Sequence, residues 1–252
     1  DFDSINTSLL KNFYNEYYHA GNCQIILSGK ISNDILHEIE NRFGGKDWWK
    51  EEKEETNFYS IVPLKEKQQY IEKADSVQAA LRLGFPSITR KHPDYYTLKI
   101  LATVLGGYFG SRLMTNIREE KGYTYGIGAS LSCLREGGSF SIATQTANEY
   151  VKPLIQEVYN EMEKLCKNPI SKQELSMVRN YLLGETARAF DGTFSIADGY
   201  ISLLANDLTP TFYEDQLKSI KEVSAENLQQ MSINYFKKED FYEVVVGSIN
   251  RD

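Results

Sequence analysis

Histidine is scarce in this chain: His19, His37 and His92 are the only three in 252 residues. None stands in an H-x-x-E-H or H-E-x-x-H pattern. His19 is followed by AGNC, His37 by EIEN, and His92 by a proline. Each by itself reads as a surface or helix-end residue. A catalytic zinc site needs three protein ligands around one point, with water in the fourth position. The chain does not supply that set, and no metal site is assigned to it. Cysteine is equally sparse. Cys23, Cys133 and Cys166 are odd in number and widely spaced, which excludes a zinc-ribbon pattern and permits at most one disulfide. They leave the redox compartment open. Cys133, on a predicted strand without a histidine partner, reads as core. No apolar run reaches the length of a membrane span, and no signal peptide is recognisable. The first residue is Asp1 and not an initiator methionine, which reads as a cut or processed piece. An excess of basic residues is also lacking: 35 acids stand against 28 bases, for a formal charge of −7. With no basic stripe and no nucleic-acid-binding motif, nucleic acid is excluded as the expected partner. Gly106, Gly107 and Gly110 form no phosphate loop, because no Gly-Lys-Ser/Thr follows them.

What is present describes a globular protein with a real core. Hydrophobic residues make up 41% and charged residues 25% of the chain, long enough for one large domain or one and a half ordinary ones. Apolar spacing predicts an amphipathic helix over 7–19, a buried strand over 22–29 and a helix over 33–43. The charged stretch 46–66, with Trp48 and Trp49, reads as a linker. Its tryptophans are either an anchor on a neighbouring surface or half-buried linker aromatics. Strands follow near 67–73 and 77–85, then a helix near 94–105. Two more strands are expected near 126–135 and 138–146. A helical region covers 149–237, with breaks near Asn168–Pro169, Asp191–Gly192 and Thr209–Pro210. A last strand is expected over 242–246. Strands and helices are grouped more than alternated. The fold class is therefore α+β, a mainly antiparallel sheet covered by helices.

The stretch Leu105–Gly128, LGGYFGSRLMTNIREEKGYTYGIG, is the densest part of the sequence. Gly106 and Gly107 can end a helix, because glycine accepts the left-handed conformation. Ser111 is placed to cap the next helix, with Met114 and Ile117 on its buried face. Lys121–Gly122 reads as its exit, and Tyr123, Tyr125 and Ile127 alternate as in a strand. Arg118 and Tyr125 then lie on opposite sides of one tight turn, where a guanidinium and a phenol can grip a peptide carbonyl or carboxylate. On spacing alone the plainer reading leads: a solvent-facing arginine and a half-buried tyrosine at an ordinary corner. Glu119 and Glu120 read as a solvated helix face.

The sequence also echoes itself. Residues 3–34 lie on 221–252 without a gap, at an offset of 218. Leu10 falls on Leu228, Phe13 on Met231, Tyr17 on Tyr235, Leu27 on Val245 and Gly29 on Gly247. A repeat this long points to a duplicated domain. Residues 1–45 are then the tail of a preceding homologous domain, 46–66 a linker, and 67–252 a complete second domain.

GGYFGSRLMTNIREEKGYTYGIGAS resembles the corresponding segment of insulinase-type (pitrilysin-like) metallopeptidases, a group that includes mitochondrial processing peptidase and the bc1 core proteins. SINTSLLKNFYNEYYHAGNCQIILSGKIS is similar to the unit that closes the zinc-bearing domain of that family. IKEVSAENLQQMSINYFKKEDFYEVVVGSI is similar to the unit closing the second domain. The resemblance implies homologous α+β domains around a peptide, one with the inverted zinc motif and one without metal. The metal-free domain supplies an arginine and, seven residues later, a tyrosine that hold substrate. Arg118 and Tyr125 match that spacing, and the resemblance reverses the plainer reading of both. It implies the non-zinc, C-terminal half of a zinc metalloendopeptidase. Zinc is expected in a homologous partner domain or subunit, a peptide is the substrate, and this chain alone is expected to be inactive. The alternative is a catalytically inactive scaffold or peptide-binding member. A third reading is a self-associating domain that binds peptides by strand addition at a sheet edge.

Overall fold

Alternation of apolar with small or polar residues along the strands fixes which face of the sheet is buried. In the strand Gln78–Ser87 (β2), Ala79, Leu81, Leu83 and Phe85 point to one side and are buried. In Gly138–Ala147 (β4), Phe140, Ile142, Thr144 and Thr146 do the same. The computed structural model describes residues 2–50 and 62–248. Among them, Gln68–Glu72 (β1), β2, Ile127–Cys133 (β3), β4 and Tyr242–Gly247 (β5) form one five-stranded sheet, ordered β1-β5-β2-β4-β3. β1 and β5 run parallel, and every other neighbouring pair is antiparallel. The expected α+β class, a mainly antiparallel sheet covered by helices, is the observed one.

The chain divides into two units, one from residues 1–58 with 189–202, the other from 59–188 with 203–252. The second holds the sheet and its core. Helices Tyr95–Ala102 (α3), Val151–Lys167 (α4), Lys172–Arg188 (α5), Thr211–Glu222 (α7) and Ala225–Tyr235 (α8) bring Leu98, Leu101, Leu154, Val158, Leu182, Ile220 and Leu228 onto the buried sheet face. The periodicity of α4, with Val151, Leu154, Val158, Met162 and Leu165 buried, is that of a helix with one apolar stripe. Phe85 stacks on Phe140 at 5.2 Å between centroids and meets Phe241 edge-on at 5.0 Å. In chain order the helical region also includes Thr193–Ala205 (α6), whose residues up to 202 belong to the first unit. The predicted breaks fall at its helix ends. No helix among the described residues is long and apolar enough to cross a membrane.

The first unit carries Thr7–Tyr17 (α1) and Asn33–Phe43 (α2), close to the expected helices. The offset of 218 reappears in its geometry. α1 and α8 coincide end to end after the shift, as do the short turns Ala20–Asn22 and Lys238–Asp240. Both helices are capped in the same way: Asn6 Oδ1 accepts from Leu9 N at 3.0 Å, and Ser224 Oγ from Asn227 N at 3.1 Å. The strand expected over 22–29 is not formed, and among the described residues no strand pairs with it. Its counterpart β5 is a strand because β1 and β2 flank it and satisfy its backbone groups. Of the expected linker, residues 51–61 lie outside the described residues. Trp48 donates through Nε1 to the carbonyl of Phe43 at 2.7 Å, and Trp49 is exposed.

Gly106 is required for a reason other than the expected one. Its φ of −157° is extended, not left-handed. A Cβ there would lie 2.5 Å from the backbone nitrogen of Ala129 on β3. Close approach of the chain to the sheet, not handedness, selects glycine. Gly106→Val should therefore destabilise the protein by about 1–3 kcal/mol, the usual cost of overpacking. A urea titration of the variant checks this.

Candidate functional site

The corner that follows α3 is built from two wide helical turns with a loop between them. Met114–Glu120 has π-type bonding, in which the backbone bond reaches back five residues, and Thr103–Gly107 is a wide turn kinked at the non-helical backbone of Gly106. Such turns cluster at functional sites, because the extra residue re-aims the side chains beyond it. In the second turn Lys121 N donates to Asn116 O at 3.1 Å, and Gly122, at φ +66°, reverses the chain. Ile117 is fully buried, which turns its neighbour Arg118 toward the surface. Ser111 sits where the helix begins, and its carbonyl accepts from Thr115 N at 2.9 Å. Its buried hydroxyl has no partner among the described residues, so the expected side-chain cap does not form.

Tyr125 lies in the loop before β3, not in the strand. The expected strand alternation begins only at Ile127, because the backbone ahead of it is tied elsewhere. Thr124 Oγ1 lies 2.9 Å from Thr144 Oγ1 and donates to Gln145 O at 2.6 Å, while the Thr144 hydroxyl donates to Gly126 O at 2.9 Å. The Thr146 hydroxyl donates to Tyr123 O. These threonines peg the loop to β4 from beneath and leave the Tyr125 side chain 92% exposed. Arg118 and Tyr125 are brought together: the guanidinium carbon lies over the Tyr125 ring at 5.4 Å. It also lies over the Phe109 ring at 4.7 Å. Both distances are within cation–π range. Among the described residues no carboxylate pairs with Arg118, and Glu119 and Glu120 are exposed.

Behind these side chains stands a buried polar layer that sequence inspection missed. Asn116 Nδ2 donates to Glu161 Oε1 at 2.5 Å and to Glu157 Oε2 at 3.1 Å, both on α4. Lys164 pairs with Glu161, and Lys121 with Glu157. Partial burial raises the Glu157 carboxyl, but the Asn116 bond and the Lys121 charge outweigh it and hold its pKa below the ordinary value. Arg112 makes a bidentate pair with Glu174 at 2.8 and 2.9 Å. Burial disfavours that guanidinium's charge, yet Glu174 outweighs it and raises the pKa. The Asn116 and Arg112 contacts join residues 41 to 62 positions apart, and no local pattern in the sequence announces them. Phe109 is different. It stood within the segment already singled out, a large apolar residue one position ahead of a glycine.

The donor set does not fit a metal. Among the described residues no three histidine, cysteine, aspartate or glutamate side chains converge. His92 Nδ1 accepts from the Asp94 backbone at 3.1 Å, His37 is exposed, and His19 is buried. Cys23, Cys133 and Cys166 are free thiols. Cys133 donates to Ile88 O at 3.1 Å, and burial raises its pKa, so it is not an activated nucleophile. What the corner presents is a fork of guanidinium donors, a phenol hydroxyl and two exposed rings.

The described residues thus form a helix-covered sheet with an arginine–aromatic corner at its edge, and among them no metal ligands converge. The sequence matches the family described as peptidase M16 inactive domain over residues 4–182, and the chain belongs to that family. An uncharacterised zinc protease of Bacillus subtilis is 26% identical over 197 residues, which is 76% of this chain and 46% of that protein. The crystal structure of a peptidase M16 inactive domain from Pseudomonas fluorescens superposes with a TM-score of 0.84 at 24% identity, over 98% of this chain and 59% of that one. A chain of Complex III2 from Candida albicans gives 0.70 at 13% identity, over 87% and 54%. This chain thus spans about half the length of these three proteins. It is an inactive M16-family domain related to zinc proteases.

Asn116→Leu removes the donor that Glu161 and Glu157 share, and should cost about 1–3 kcal/mol at neutral pH. A carboxyl held below its ordinary pKa of 4.5 stabilises the fold above that value, and the contribution is lost as pH falls through the folded pKa. The wild-type protein should therefore lose more stability than the variant between pH 7 and pH 3, a difference that urea titrations at the two pH values measure.

Proposed function

We propose that this chain is the non-zinc, substrate-clamping half of an insulinase-type zinc metalloendopeptidase. It acts with a zinc-bearing homologous domain or subunit outside this chain. The observation that carries the reading is the guanidinium of Arg118, which no carboxylate pairs with among the described residues and which lies 5.4 Å from the exposed Tyr125 ring. An arginine fork placed so can bind a peptide carbonyl or a product carboxylate. The Tyr125 hydroxyl then donates to the carbonyl oxygen near the scissile bond and supports the developing oxyanion. Both residues stand in a chain related to zinc proteases, which supports assigning them to a peptide.

The domain reading follows the same line. Residues 1–45 are the tail of a preceding homologous domain, 46–66 a linker, and 67–252 the second, non-zinc domain. In α8, Leu228 and Met231 are buried; their counterparts in α1, Leu10 and Phe13, are exposed. A helix built to pack against a sheet, with its apolar face in solvent, supports a sheet supplied from elsewhere.

In the assembly that includes the zinc-bearing partner, Tyr125→Phe should lower kcat about 10²–10³-fold, the loss typical of one oxyanion donor. Arg118→Ala should lower kcat/KM, and both variants should keep the wild-type unfolding transition. Unchanged turnover in both would sink the clamp. The chain by itself should cleave no peptide, and metal-dependent cleavage by it would contradict the proposal. The second reading, an inactive scaffold or peptide-binding member, is supported by the same fold in a chain of Complex III2. Peptide turnover by the full assembly separates the two.

A further inference from the structure

We infer that Phe109 is a specificity-determining residue of the same corner, which packs against a large apolar or aromatic side chain of the bound peptide. This rests on the clamp reading of Arg118 and Tyr125. Tyr108 to Ser111 form a tight turn closed by Ser111 N donating to Tyr108 O at 3.1 Å. The two rings at its start go opposite ways. Tyr108 stacks on Tyr181 of α5 at 5.1 Å and anchors the turn. Phe109 remains 63% exposed and has the Arg118 guanidinium over its face at 4.7 Å. A phenylalanine so exposed contributes little to the core, and a single such residue calls for no explanation. Here, however, it joins a second exposed ring and an arginine that has no carboxylate partner among the described residues, and arginine and tyrosine are enriched in binding hot spots.

The distances suit an extended peptide. Neighbouring residues of such a chain are about 3.8 Å apart at Cα. A carbonyl held by the guanidinium therefore puts the next side chain within reach of a ring 4.7 Å away. Stacking on Phe109 also limits the orientations open to Arg118, so its donors point outward in a restricted fan. An aromatic peptide side chain adds an offset or edge-on contact to the exposed Phe109 ring, and alanine does not.

The test uses the full-length protein together with its zinc-bearing partner. Fluorescence anisotropy measures the affinity of paired short peptides that carry Phe or Ala at each central position in turn. Wild-type protein should prefer the Phe peptide at one position by roughly tenfold, about the worth of one aromatic contact. Phe109→Ala should bring that ratio close to one, and Phe109→Trp should keep it. Equal binding of every pair by the wild type, or a ratio that survives Phe109→Ala, would overturn the inference. The Arg118→Ala and Tyr125→Phe variants separate the two claims. If they leave both affinities unchanged, the clamp reading fails; if they weaken both peptides while Phe109→Ala leaves the ratio intact, only the role of Phe109 fails. Absence of binding to any peptide would overturn both.

Discussion

Burial of one face of the sheet is the constraint on which the second unit depends. β2 and β4 stand side by side near the middle of the sheet, and their inward residues present Leu81, Leu83, Phe140 and Ile142 as a continuous apolar layer. The helices exist in their observed places because that layer must be removed from water. Each contributes a stripe with the matching period. The corner after α3 is a by-product of the same requirement. To lay Leu105 and Ile117 into the core, the chain must pass so close to β3 that only glycine fits at position 106. The residues on the outer side of that corner are thereby aimed at solvent.

The candidate site is thus held from behind. Asn116 with Glu157 and Glu161, Arg112 with Glu174, and the threonines under Tyr125 fix three short segments relative to α4, α5 and β4. Asn116, Glu161 and the threonines are buried, whereas Phe109 and Tyr125 are exposed. The division is physically sensible, because a recognition surface needs side chains with unspent donors and exposed rings. Its rigidity must then come from bonds made elsewhere. The wide helical turns on both sides of the loop allow that combination without unravelling the helix.

Much of this was legible in the sequence. The period-two runs located all five strands, the 3.6-residue stripes located the helices, and the Asn168, Gly192 and Pro210 breaks located their ends. The placement of Arg118 and Tyr125 on two sides of one turn was legible, although on spacing alone the plainer reading of a solvent-facing arginine and a half-buried tyrosine led. The strand expected over 22–29 was legible as an apolar run and is not a strand, because pairing depends on neighbours and not on the segment itself. Gly106 was visible as a special residue, but its reason was not, since the clashing atom belongs to Ala129. Phe109 lay in plain view and carried no meaning until Arg118 was found over its ring.

Local periodicity and local backbone chemistry, then, are what the sequence determined by itself: which segments are helical or extended, which face each buries, where Gly122 turns the chain, and that residues 3–34 repeat in 221–252. These depend on interactions between residues a few positions apart, and such interactions can be read in order. The tertiary structure alone decided which groups meet across the chain. It set Glu161 against Asn116, Thr144 against Thr124 and the guanidinium of Arg118 between Phe109 and Tyr125. Those meetings follow from packing a whole sheet face against helices, a condition on many residues at once that no short stretch records.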